Sequence, residues 1–106
     1  MIRSAAVSIS GGTALEGEIW LFDQAVTAIN DNAAFSVTDA DMLNFVGVIP
    51  FNCTDTTSAN AASYVTNINI GYTCVGTANL RYLVKVMSGV TPASGEVLSV
   101  RVQVEN

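Results

Sequence analysis

Histidine is absent from the 106-residue sequence, and this absence removes most of the common arrangements of catalytic side chains. Without histidine there is no usual general base near neutral pH, no Ser–His or Cys–His nucleophile pair and no imidazole ligand for zinc. The two cysteines, Cys53 and Cys74, cannot complete a tetrahedral zinc site by themselves. The glycine-containing turns match neither the phosphate-loop nor the dinucleotide-binding pattern. We therefore expect no enzyme, no catalytic residue and no bound cofactor.

Positive charge is also scarce. Arg3, Arg81, Lys85 and Arg101 face nine acidic residues, which gives a net charge of −5. Binding to nucleic acid needs a clustered basic surface that neutralises phosphates, and four scattered cations do not provide one. The same scarcity argues against an anionic membrane surface. No apolar run approaches the roughly 18 residues of a membrane span. We expect neither a nucleic acid nor a membrane as a partner.

Charged residues of either sign make up 12% of the chain, against about 25% in ordinary soluble domains. Serine, threonine, asparagine and alanine take their place, as in CTDTTSANAASYVTN. Such a neutral surface suits faces that neighbouring chains cover, and the alternative is a secreted β-domain with a neutral polar surface. The residues after Arg3 are too polar for the core of a signal peptide. Cys53 and Cys74 are therefore expected as thiols, with a disulfide between them as the alternative.

Alternation of apolar and polar residues predicts strands along most of the chain. The C-terminal VLSVRVQVE and the earlier LRYLVKVM and YVTNINIGYTC each place apolar side chains on one face. The predicted core-facing residues of these segments are Leu98, Val100, Val102 and Val104, then Leu80, Tyr82, Val84 and Val86, and finally Tyr64, Ile68, Ile70, Tyr72 and Cys74. IRSAAVSIS and EGEIWLFDQ predict two more strands, and NFVGVIPF predicts a more fully buried strand that ends near Pro50.

These segments make about six strands joined by turn-rich links, and no segment shows a long helical period. The pattern predicts an all-β fold, either an antiparallel sandwich or a barrel. No repeat, linker or block of charge divides the sequence, so we expect one domain over residues 1–106.

The stretch DNAAFSVTDADMLNF contains three of the nine acidic residues. Thr38 and Asp41 fit a helix capping box, with Thr38 as N-cap and Asp41 at the third helical position. This predicts one short helical turn near residues 39–44, and Asp31 with Asn32 predicts a polar turn. The alternative is a calcium site formed by Asp31, Asp39 and Asp41 with help from Asn32 or backbone carbonyls, but the spacing does not fit the EF-hand pattern. We expect no metal.

The single tryptophan, Trp20, has two readings. It is expected to be a core or interface anchor. The alternative is a sugar-lining position in a carboxylate-dependent glycosidase, which would need a cleft rich in aromatic residues.

Five short segments carry a family resemblance: residues 20–23 (WLFD), 31–35 (DNAAF), 38–41 (TDAD), 45–48 (FVGV) and 69–72 (NIGY). Together they resemble the small capsid cement, or decoration, proteins of tailed bacteriophages, over most of the chain from residue 6 to residue 104. The resemblance implies a jelly-roll-like sandwich and a non-enzymatic virion protein.

Such a protein would be made in the bacterial host cytoplasm. It would then bind the major capsid protein on the outer capsid surface and cement neighbouring subunits, as a homo-oligomer, in particular a trimer. The alternative is a small receptor- or carbohydrate-binding sandwich of a phage tail or fibre.

Overall fold

The structure is a computed structural model. It describes residues 1–11, 14–29, 34–53, 60–72, 80–87 and 97–105, together with the backbone of residues 55–56. The strands and the one helix of these residues are β1 (Ile2–Ser10), β2 (Leu15–Phe22), α1 (Asp39–Met42), β3 (Phe45–Cys53), β4 (Asp55–Thr56), β5 (Asn60–Val65), β6 (Arg81–Val86) and β7 (Leu98–Val104).

The strands form two sheets, and every strand pair is antiparallel. Sheet A has the order β4-β5-β1-β7, and sheet B has the order β3-β2-β6. The pairing is nested, because the first strand pairs with the last and the second strand pairs with β6. β3 approaches β5 across the two sheets, where the backbone N–H of Asn52 donates to Ser63 Oγ at 3.2 Å. The predicted all-β antiparallel sandwich is confirmed.

The core lies between the sheets and is built mainly by alternate residues of β1, β2 and β3. The side chains that these strands contribute to this buried cluster are Ile2, Ala5, Val7, Ile9, Leu15, Ile19, Leu21, Ile49, Phe51 and Cys53. Ala61 of β5 and Ile68 complete the cluster. Since apolar burial stabilises by about 25 cal/mol per Å², these three strands supply most of the hydrophobic stabilisation.

β3 continues past Pro50, although the sequence predicts that it ends there. Pro50 lies opposite Glu18, and the pairing with β2 runs on to Cys53 opposite Leu15. Proline has no backbone N–H to donate, which an edge strand tolerates on its free side. β3 is the edge of sheet B, so the proline interrupts no ladder. The strand is also only half-buried over residues 45–48, not fully buried as expected.

The strand predicted from Tyr64 to Cys74 is wrong in extent, and its predicted core-facing side is wrong at Tyr64 but right for Ile68, Ile70 and Tyr72, which belong to the core cluster or pack against it. β5 ends at Val65, and Ile70 forms only an isolated bridge with Ile2. Asn67 has a φ of 59°, a left-handed conformation that breaks the period-two alternation. Before Asn67 the odd-numbered Ala61 faces the core and Tyr64 is 67% exposed, whereas after it the even-numbered Ile68 is buried. Cys74 lies outside the described residues.

The helix is confirmed as a single short turn. It spans Asp39–Met42, slightly less than the expected 39–44, and Thr38 is its N-cap. The backbone N–H of Asp41 donates to Thr38 Oγ1 at 3.1 Å, as the capping pattern predicts.

Candidate interaction surface

One side of the sandwich is formed by β6 and β7, and we call it the open side. β6 is an edge of sheet B and β7 is an edge of sheet A. Among the described residues, each of these two strands has a hydrogen-bonded strand partner on one side alone. A strand edge without a partner is a ready template for another chain.

Core-facing apolar side chains are exposed on the open side. Tyr82 lies opposite the buried Leu21, and Val104 lies opposite the buried Ile2. Directly paired residues share a face of the sheet, so Tyr82 and Val104 point to the inner face. Nevertheless Tyr82 is 51% exposed and Val104 is 46% exposed.

The predicted core therefore needs a correction. Val84, Leu80, Leu98, Val100 and Val102 pack against the core from partly buried positions, whereas Tyr82, Val86 and Val104 are exposed. The predicted register of β6 and β7 is right. The predicted burial of Tyr82, Val86 and Val104 is wrong because β6 and β7 are edge strands, and no further strand among the described residues covers these side chains.

The backbone groups of β6 that have no strand partner among the described residues belong to residues whose side chains face the core. Met87 N–H donates to Glu16 O at 2.8 Å, and residues of an antiparallel pair bond to their partner alternately. The continuous register of β6 with β2 then directs the N–H and C=O groups of Arg81, Leu83 and Lys85 towards β2. The N–H and C=O groups of Tyr82, Val84 and Val86 point to the other edge of β6. No strand among the described residues covers this edge, and we call it the free edge.

The basic residues of the chain are concentrated near this side. Arg81 and Lys85 lie on β6, Arg101 lies on β7, and Arg3 lies on β1 beside β7. Arg3 Nε forms an ion pair with Glu105 at 2.7 Å. Lys85 Nζ lies 5.6 Å from the centre of the Phe35 ring. In the pairing of β6 with β2, Lys85 lies opposite Glu18. Arg81 and Arg101 are exposed, and neither has an ion-pair partner among the residues described.

A second apolar cluster covers the outer face of sheet B. Trp20 packs on Phe35 and Phe45, with ring centres 5.3 and 5.2 Å apart, and Phe45 packs on the fully buried Phe22. Trp20 Nε1–H donates to Glu18 Oε1 at 3.4 Å. Trp20 is thus a packing anchor, as expected, but outside the cluster between the sheets. The segment that carries Phe35 is held over the sheet by these rings.

The acidic stretch acts as a tether in the described structure. Asp41 Oδ2 accepts a hydrogen bond from the backbone N–H of Thr27 at 3.0 Å. The capping pattern instead predicts that this carboxylate closes the box at the helix start. The hydrogen bond from the Thr27 backbone is the main cause that lowers the pKa of Asp41; desolvation opposes it, and the hydroxyl groups of Thr38 and Thr27 lower the pKa further. Asp31 and Asn32 lie outside the described residues.

No cluster of three or more histidine, cysteine or acidic side chains suited to a metal ion occurs within the described part of the chain. Cys53 is a buried free thiol whose Sγ–H donates to Val7 O at 3.6 Å. Burial raises its pKa, so the thiolate is disfavoured. The expectation of a thiol is confirmed for Cys53, while Cys74 is not described.

A groove of about 460 Å³ extends from β5 past residues of β3 and β2 to Met87, the residue that follows β6. Residues of β2 and β3 form one wall, including Glu16, Glu18 and Asn52. Tyr64 on β5 forms part of the other wall, and Met87 closes one end. Tyr64 is 67% exposed, so its ring is available to a ligand or a partner.

Neither the protein-family models nor the curated proteins nor the solved structures contain a match to this chain. The helical part of the described structure contains no segment with the length and apolar character needed to cross a membrane. The structure shows that the chain is an antiparallel β-sandwich.

Proposed function

We propose that this chain is a non-enzymatic structural protein of a phage virion, which binds the outer surface of the capsid and cements neighbouring major capsid subunits. The observation that carries the proposal is the open side, where core-facing Tyr82, Val86 and Val104 are 51%, 45% and 46% exposed. Apolar side chains on an unpaired edge favour contact with another protein. The sequence resemblance to capsid cement proteins points to the major capsid protein as this partner.

Self-association is part of the proposal. Burying exposed apolar side chains contributes about 25 cal/mol per Å², and the chain has few charges with which to hold a partner by ion pairs. Exposed ion pairs add only up to about 1 kcal/mol each. Apolar burial and backbone pairing would therefore dominate both the formation of a homo-oligomer, in particular a trimer, and its attachment to the shell.

The test is addition of the purified chain to phage shells assembled without it, followed by electron microscopy. Tyr82→Ser on the open side is compared with Tyr64→Ser, a matched loss of an exposed tyrosine on β5. We expect density across the shell for the unmodified chain and for Tyr64→Ser, and weaker decoration for Tyr82→Ser. Melting temperatures verify that both variants fold. Density confined to the tail, or none on the shell, contradicts the proposal.

A second candidate is a receptor- or carbohydrate-binding module of a phage tail or fibre. The groove beside Tyr64 favours it, because an exposed aromatic ring flanked by Asn52 and Glu18 offers a stacking face and polar partners. Screening the chain against a glycan array tests this candidate. Binding that Tyr64→Ser abolishes and Tyr82→Ser preserves would favour the second candidate over the first.

A further inference from the structure

The free edge of β6 combines three properties that specify the chemistry of a partner. Its outward backbone groups belong to Tyr82, Val84 and Val86, as the hydrogen bond from Met87 to Glu16 establishes. The side chains of these same residues face the inner side of the sandwich. A strand added here would form backbone hydrogen bonds and would also bury apolar side chains against the core.

The alternate residues of β6 face the outer side of the sheet. Arg81 lies opposite Phe22, and Lys85 lies opposite Glu18, both outer-face residues of β2. An added strand would place its own outward side chains beside Arg81, Leu83 and Lys85. In an antiparallel arrangement these pairs would be the closely spaced, non-hydrogen-bonded ones, with Cα atoms about 4.5 Å apart. Opposite charges favour such pairs, and like charges disfavour them.

We infer that the free edge of β6 receives an extended segment of a partner protein, in which two carboxylates spaced four positions apart face Arg81 and Lys85 and apolar side chains face the core. The inference rests on the proposed docking function. Arg81 is the stronger determinant, because it has no anionic partner among the described residues, whereas Lys85 already lies over Phe35 and opposite Glu18.

A second copy of the chain fits this edge less well. Pairing two β6 strands about Leu83 would bring Arg81 opposite Lys85, which is a like-charge pair. Cations on an edge strand are also a known means of discouraging such self-pairing. Pairing about Val84 keeps the cations apart, so self-association is measured as a separate outcome.

The probe is a capped synthetic peptide of about seven residues, a typical strand length. Valine occupies its inward positions, and glutamate occupies the two outward positions that would face the cations. Backbone amide exchange of the isotopically labelled chain is measured by NMR with and without this peptide. We expect slower exchange at Tyr82, Val84 and Val86, and little change on β7.

Two charge exchanges sharpen the test. A peptide with lysine in place of glutamate should bind roughly tenfold more weakly. Arg81→Glu should weaken binding of the glutamate peptide about fivefold and should strengthen binding of the lysine peptide. Arg101→Glu on β7 is the matched control and should leave binding of the glutamate peptide unchanged.

Equal binding of both peptides, protection on β7 instead of β6, or no protection at all overturns the inference. So does concentration-dependent protection of β6 without peptide, since the occupant would then be a second copy. Because the peptide assay uses no shells, its failure is separate from failure of the proposed function. If the chain decorates shells but the peptide does not protect the β6 amides from exchange, the proposed function stands and this inference is wrong.

Discussion

The carboxylate of Asp41 and the backbone N–H of Thr27 are joined by a hydrogen bond of 3.0 Å. This bond connects the first turn of α1 to a segment without regular secondary structure that begins after β2. The same residue, Asp41, donates its own backbone N–H to Thr38. The helical turn is therefore capped by Thr38 at its start and joined through Asp41 to the segment that follows β2.

The tether predicts a pH dependence. The folded-state pKa of Asp41 is lowered from its ordinary value of 3.8, mainly by the hydrogen bond from Thr27. A lowered carboxyl pKa contributes stability above the ordinary value, and that stability is lost as the pH falls below it. We expect exchange of the Thr27 amide to accelerate as the pH drops below 3.8, after correction for intrinsic exchange.

Asp41→Asn should remove this pH-dependent step, because the amide cannot ionise. Asp39→Asn, in the same helical turn, is the control and should preserve it. A Thr27 amide with the same pH response in all three proteins would disprove the tether.

The helix cap predicts a measurable loss of stability. Thr38→Ala removes the hydroxyl that accepts from Asp41, and loss of such a cap costs about 1 kcal/mol. Denaturant unfolding measures this difference. Thr38→Ser retains an acceptor and should recover most of the loss. Added calcium should leave the melting temperature of the unmodified chain unchanged, and a rise of several degrees would favour the alternative of a metal site.

Gly17 predicts a steric conflict that Gly47 does not share to the same degree. A Cβ at Gly17 would collide with the backbone oxygen of Lys85 and lie 3.0 Å from Phe51 Cζ. The carbonyl belongs to the ladder between β2 and β6 and cannot move independently. Gly17→Ala should therefore destabilise the fold by about 1 to 3 kcal/mol.

At Gly47 the nearest atom to a Cβ is Ile70 Cδ1, at 2.9 Å. Because this is the end of a flexible side chain, Gly47→Ala should cost less than Gly17→Ala. Unfolding free energies of the two variants provide the comparison, and the reverse order would show that the contact of β2 with β6 is wrongly placed.

The unequal burial of apolar side chains predicts where truncation destabilises the fold. Ile19 is fully buried, so Ile19→Ala should cost about 2 to 5 kcal/mol. Val86 is 45% exposed, so Val86→Ala should cost well under half of that. Thermal and denaturant unfolding measure both. If the two losses were equal, the open side would be covered in the folded chain, and its role as an interaction surface would fail.

Salt should separate the two kinds of association proposed here. Contacts made by apolar side chains and backbone pairing are weakly screened, so the homo-oligomer should persist from low to high salt. Binding of the glutamate peptide includes two exposed charge pairs and should weaken as salt rises. Sedimentation velocity at several salt and protein concentrations tests the first statement. A monomer throughout, or an oligomer that dissociates with salt, contradicts it.

Much of the fold is predictable from local pattern. Alternation identifies β1, β2, β6 and β7, and it assigns Arg81, Lys85 and Arg101 to the outward face. The capping pattern identifies Thr38 as the start of α1. These predictions succeed because side-chain direction in a strand and hydrogen bonding at a helix start depend on residues close together in the sequence.

The candidate site is only partly predictable. Tyr82, Val86 and Val104 have the sequence signature of core residues, and nothing nearby in the chain distinguishes them from Val84 or Val100. Their exposure follows from the position of β6 and β7 at the edges of two sheets, which depends on pairing with β2 and β1. The change of face at Asn67 is also hidden, because a single left-handed residue reverses the alternation without altering the apolar pattern on either side.

The sequence by itself determined the all-β class, the inward and outward faces of its most regular strands, and the capped turn at Thr38. The tertiary structure decided which of those faces are covered, where the tether of Asp41 ends, and which strand edges are free among the described residues. The physical reason is the sequence separation over which the two kinds of interaction act. Backbone geometry and capping are settled within a few residues, whereas burial and edge pairing depend on strands far apart in the chain that meet only in the folded sandwich.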